Sequence, residues 1–94
     1  MKTVVETLLA GGFAEFSCQG KKYLIQQESN KGCHYLGLWQ LTPKAACLCR
    51  ADFDIFDGVS EETVEELFDQ QLAEGHSVRD MLQSPETVLT IPDP

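Results

Sequence analysis

This sequence predicts an α+β domain, an antiparallel sheet of four or five strands with helices packed on one face, and three observations carry the prediction. Alternation of apolar and polar residues recurs from Phe13 to Phe53, the period of half-buried strands. Helical stripes flank that stretch, Val4 to Leu9 before it and Val64 to Leu72 after it, the period of amphipathic helices. Turn-forming residues punctuate the strands at Gln19-Gly20, Ser29-Asn30-Lys31-Gly32 and Pro43, connections short enough for antiparallel neighbours but too short for crossovers.

The elements follow in the order α-β-β-β-β-α-α-β. Thr3 and Glu6 have capping-box spacing, and Val4, Val5, Leu8 and Leu9 share a stripe that Gly11 and Gly12 end, which predicts a helix over about 4–10. Phe13 to Cys18 and Lys22 to Glu28 form a hairpin around Gln19-Gly20, where glycine supplies the positive φ of a type I′ turn. That register sets Cys18 opposite Lys21 and Phe16 opposite Tyr23, and places Ala14, Phe16, Cys18, Tyr23 and Ile25 on the core face. A third strand runs from Cys33 to Leu41.

Beyond Pro43 a fourth strand alternates Ala45, Cys47, Cys49, Ala51 and Phe53 with Ala46, Leu48, Arg50 and Asp52. The small residues of the first set are expected to face the core, where they admit a helix packed closely across the sheet. Ser60 is the N-cap of that helix, Val59 and Val64 hold its staple positions, and Val64, Leu67, Phe68 and Leu72 form a stripe ending near Gly75. Ser77 and Asp80 repeat the capping box around Val78, Met81 and Leu82, and Pro85 limits that helix to about two turns. Thr87 to Ile91 supplies a last strand.

At 94 residues, with 43% hydrophobic and 23% charged residues, the chain reads as one folded domain over 1–94 rather than a disordered segment. The apolar start is broken by Glu6, so no export signal is read there, and no apolar run approaches the roughly 18 residues of a membrane span. A cytoplasmic protein without membrane contact is the expectation. The net charge of −8 is lopsided: residues 1–47 hold five Lys/Arg against three Asp/Glu, residues 48–94 two against twelve. Direct nucleic-acid binding, which rests on cations at phosphate, is therefore not expected.

Phe16-Ser-Cys-Gln-Gly-Lys-Lys-Tyr-Leu-Ile25, an aromatic third strand, the Ser60 helix and Gly75-His-Ser-Val-Arg-Asp-Met-Leu82 together resemble a set of small, functionally uncharacterised bacterial α+β proteins. The resemblance spans most of the chain. It implies a fold and an intracellular compartment, and no activity or ligand.

Cys18, Cys33, Cys47 and Cys49 would allow three disulfide pairings in a secreted protein, and with His34 they hold enough donors for zinc. Cys47 and Cys49 alternate on a strand rather than flanking a turn, so core packing is the favoured reading and a cysteine-based metal-binding or thiol-redox protein the alternative. Asp52, Asp54, Asp57 and Gly58 invite comparison with a calcium loop, but placing Gly58 at its sixth position puts Phe53 first and Val64 twelfth, where carboxylates are required, so a solvated strand-to-helix connection is the favoured reading. His34 and His76 have no evident nucleophile or acid partner, and no glycine-rich phosphate loop occurs. Neither an enzyme nor a cofactor is expected.

Two surfaces remain. Residues 52–74 hold nine Asp/Glu and no Lys/Arg, with like-charge pairs four apart at 61/65, 62/66 and 65/69, each costing a few tenths of a kcal/mol in a helix; a solvated face that keeps the protein soluble is the favoured reading and attraction to a basic partner its rival. Register also places Phe13, Leu24, Tyr35, Trp39 and Leu41 on the sheet face away from the helices, to be covered by a terminal element, by a partner or by a second copy in a homodimer. The functional expectation is a non-catalytic interaction or regulatory domain. Tyr35 and Trp39 would bury apolar contact, while Glu61, Glu62, Glu65, Glu66 and Asp69 would steer a basic partner.

Overall fold

Two tight turns fix the register of the sheet. In the structure, a computed structural model describing residues 2–72 and 75–90, Gln19 and Gly20 have φ of 52° and 79°, and Lys31 and Gly32 have 52° and 82°. Positive φ at both central residues is the type I′ geometry, whose twist matches that of the strands it joins. The first turn connects β1 (Ala14–Cys18) to β2 (Lys21–Asn30) and the second connects β2 to β3 (Cys33–Thr42). Cys18 opposes Lys21 and Phe16 opposes Tyr23, the predicted register. Ser29 and Asn30, read from sequence as part of a loop, instead pair with His34 and Cys33, because Lys31-Gly32 alone suffices to turn the chain.

Strand β4 (Ala46–Phe53) and a three-residue β5 (Val88–Thr90) complete a five-stranded antiparallel sheet in the order β4-β3-β2-β1-β5. The final strand pairs with β1 through Phe16–Leu89 and Ser17–Val88; Ile91, included in the expected strand, lies outside the described residues. Helices α1 (Lys2–Leu9), α2 (Glu61–Phe68) and α3 (Val78–Gln83) contribute Val4 and Leu8, Val64, Leu67 and Phe68, and Val78 and Leu82 to one core. Their sheet partners are Ala14, Phe16, Cys18, Tyr23, Ile25, Leu36, Leu38 and Ala51. All these residues are buried, and each large side chain among them contributes about 1.5–3 kcal/mol. The α+β class and the element order are those read from the sequence.

Local chemistry sets the helix ends. Helix α1 closes with Gly11 at φ 86°, its N–H donating to Leu8 O and that of Gly12 to Thr7 O, the paired bonds of a Schellman motif. Its start corrects the sequence reading, since Lys2 is already helical and Thr3 lies inside the first turn rather than at the N-cap. Ser60 does cap α2, accepting from Thr63 N while Thr63 Oγ1 accepts from Ser60 N. Ser77 and Asp80 form the same reciprocal box at α3.

Helix α2 ends at Phe68, well before Gly75. The chain has no basic residue in the last turn of α2 to favour its carbonyl end. The backbone that would extend it is used elsewhere: Val78 N donates to Gln70 O and Leu72 N to His76 O, around a bridge between Gln71 and Ser77.

A register shift in β4 overturns a second expectation. Leu38 opposes Cys49, but the next residue, Trp39, opposes Cys47, leaving Leu48 as an extra residue. An extra residue inverts the alternation that follows it. Cys49 and Ala51 therefore keep the core side, whereas Cys47 shares the outer side with Trp39 and is exposed, and Ala45 precedes the strand and is exposed as well. A similar shift at Lys22/Tyr23 leaves Leu41 without a partner in β2.

Candidate functional site

The seven residues expected to bind a partner fall on opposite sides of the sheet. Glu61, Glu62, Glu65, Glu66 and Asp69 are exposed on or just beyond α2, which lies on the helical side, while Tyr35 and Trp39 lie in β3 on the outer face. One flat partner cannot cover both at once.

Two of the five acids are already engaged within the chain. Arg79, from α3, pairs with Glu65, and its Nη2 lies 3.1 Å from Asp69 Oδ1. Its guanidinium also stands over the Phe68 ring, 5.5 Å from the centroid. The hydrogen bond to Asp69 is the main cause pushing the Arg79 pKa further up. Arg79 thus relieves the 65/69 repulsion and ties α3 to α2; Glu61, Glu62 and Glu66 remain as an acidic strip without such a clamp in the described hydrogen bonds and ion pairs.

On the outer face the aromatic residues are half-buried by their own neighbours, with no helix over them among the described residues. Gly37 makes this packing close. A Cβ there would lie 2.7 Å from Glu28 Oε2 and 3.4 Å from both Trp39 Nε1 and Tyr35 Cε2. Glu28 fills the space above the glycine, accepting from Trp39 Nε1 at 2.7 Å and from Gln26 Nε2 at 3.0 Å. Arg50 lies over the Tyr35 ring at 4.9 Å and pairs with Asp52 at 3.4 Å. Partial burial, then the Glu28 carboxylate, pushes the Tyr35 phenol up, with Arg50 opposing. Leu24 pairs with Trp39 across this face, whereas Phe13 lies ahead of β1 and is exposed.

The four cysteines do not converge. Cys18 ends β1 in the core, Cys33 begins β3 beside the second turn, Cys47 lies on the outer face, and Cys49 is half-buried on the core side. Cys33 and Leu38, the partner of Cys49, are separated along β3 by about 17 Å at strand rise. No group of three or more metal-ligating side chains occurs among the described residues. Burial first, then nearby Glu28, raises the Cys47 pKa; burial, then Cys47, raises that of Cys49 to about 11. Both thiols remain protonated at neutral pH, and thiolate is the reactive form.

The loop from β4 to α2 holds the feature that sequence reading missed. Phe56 is 95% exposed and Ile55 59% exposed, yet the backbone beneath them is tied down. Asp54 Oδ1 accepts from Phe56 N at 2.8 Å, and Asp54 O accepts from the N–H groups of Asp57 and Gly58. Gly58, at φ 68°, allows the turn to close. Asp54 and Asp57 are turn residues of a strand-to-helix connection, as expected, but the connection carries an apolar tip. The signal for this was present in Asp-Phe-Asp-Ile-Phe-Asp-Gly, two apolar residues outside any strand or helix stripe.

Comparison with family models, with curated proteins and with solved structures finds no match to this chain. Function must be argued from these residues alone.

Proposed function

We propose that this chain is a non-catalytic protein-interaction domain that docks a basic partner through the Ile55–Phe56 tip and the acidic strip beside it. The observation that carries the reading is Phe56, almost wholly exposed on a hydrogen-bonded turn. Burying such a ring would gain about 1.5–3 kcal/mol, and its tied backbone lowers the ordering cost of docking. Asp54, Asp57, Glu61 and Glu62 lie within six residues of it in the chain. Their charge would speed encounter with a cationic surface and discriminate against phosphate polymers.

Tyr35 and Trp39 are not the anchors in this reading, because Glu28 and Arg50 already cover them. The reading belongs to a cytoplasmic protein without membrane attachment; no described helix is long and apolar enough to cross a membrane.

The test is affinity capture from lysate at low ionic strength with four baits: wild type, Phe56→Ser, the triple variant Glu61→Gln/Glu62→Gln/Glu66→Gln, and Trp39→Ala. A basic protein should be retained by wild type and Trp39→Ala, be released as salt rises, and be lost with the other two. Equal retention by all four baits would defeat the proposal.

A further inference from the structure

Among the described residues, the helices leave one end of the core-side face uncovered. Helix α2 stops at Phe68 and α3 is six residues long, so the helical layer ends short of the β1–β2 turn. A cavity of about 480 Å³ opens there, within the roughly 300–1,000 Å³ of small-molecule sites. Its floor includes the two most exposed of the eight buried sheet residues: Cys18 and Tyr23 are 8% and 7% exposed, against at most 1% for the other six.

We infer that this cavity is a binding site for a compact uncharged aromatic molecule carrying one hydrogen-bonding group. The apolar lining is Leu48, Leu72 and Met81. Leu48 is the extra residue of the β4 register shift and remains 40% exposed beside the cavity. A ring would bury these side chains, and the Met81 thioether suits an aromatic neighbour. Tyr23, stacked on Phe16 with centroids 5.1 Å apart, gives the floor a rigid aromatic base.

The rim decides the charge of the ligand. Its Lys and Asp side chains among the described residues are Lys21 and Asp80, whose formal charges cancel, in contrast to the net −8 of the chain. Asp80 is further committed to the α3 cap, accepting from Ser77 N at 3.1 Å. Neither an anion nor a cation is favoured by such a rim, whereas Gln71 and Ser84 offer neutral hydrogen-bonding groups.

The experiment is an NMR titration of the whole chain with indole and 4-ethylphenol, and with phenylacetate and phenethylamine as charged counterparts. The neutral probes should give saturable amide shifts around Cys18, Tyr23, Leu48 and Met81, with an apparent Kd below about 1 mM. The charged probes should bind at least about tenfold more weakly. Leu48→Trp, which fills the cavity, should weaken the neutral probes at least about tenfold in a variant that retains its fold. In wild type, NOEs from the indole ring to the Met81 methyl give a readout independent of that variant. Absence of saturable shifts, NOEs to Trp39 instead, equally tight charged probes, or undiminished binding by folded Leu48→Trp would each overturn the inference.

Discussion

The two faces of the sheet are closed by different means. On one, residues from three helices meet Phe16, Ile25, Leu36 and Leu38, and the side chains pack with little or no exposure. On the other, Glu28 fills the space above Gly37 and accepts from Trp39 and Gln26, while Arg50 lies over Tyr35. The first is a hydrophobic core, the second a hydrogen-bonded cover made from the strands themselves. An aromatic residue on a sheet face without helices is therefore not automatically a docking site, since long polar neighbours can half-bury it.

The largest expected effect sharpens this contrast. Phe68→Ala removes a fully buried ring from the helical side, and denaturant unfolding should show a loss of about 3–5 kcal/mol. Trp39→Ala removes a half-buried ring and its bond to Glu28, and should cost about 1–3 kcal/mol. Unfolding should be followed by circular dichroism, because Trp39 is the only tryptophan. Equal losses would break the comparison and make the outer face a second core.

The core side should also reveal itself in alkali. Cys49 ionises less readily when folded, its pKa being raised from 9.0 to about 11. Its stabilisation is therefore complete below pH 9 and is lost as pH rises through about 11. Since Cys49 is only half-buried, solvent screening holds the effect to about 1 kcal/mol. The alkaline fall in unfolding free energy should be shallower in Cys49→Ala than in wild type.

The smallest effect belongs to Gly37→Ala. The new methyl must push the Glu28 carboxylate aside, which a flexible side chain tolerates at less than about 1 kcal/mol. The Trp39 bond should nevertheless be lost, and the fluorescence of the indole should change. Unaltered emission with unaltered stability would mean that Glu28 is not the cover over this face.

Legibility followed the range of the interaction. Gln19-Gly20 announced its hairpin because positive φ is a property of two residues, and Ser60 and Ser77 announced their helices because a cap needs only three residues more. The end of α2 was misread because Val64, Leu67, Phe68 and Leu72 keep a helical spacing, although only the first three lie in the helix. Leu72 packs against the core from the bridge that follows. Cys47 was misplaced for a related reason: strict alternation assumes an unbroken ladder, and the extra residue at Leu48 depends on the partner strand.

Among the candidate surfaces, the acids of α2 were legible as a charge pattern, but Arg79, ten or more residues away, decides which of them are engaged. The Ile55–Phe56 tip was visible as two apolar residues outside every stripe; its exposure was not.

Composition, the two periodicities and the local turn and cap chemistry determined the α+β class, the order of elements and the register of the first hairpin, because those interactions act over a few residues. Tertiary structure alone decided the facing of Cys47, the engagement of Glu65 and Asp69, the cover over Trp39 and the cavity beside Tyr23. Each depends on segments remote in sequence arriving at one place, and no local period records where they meet.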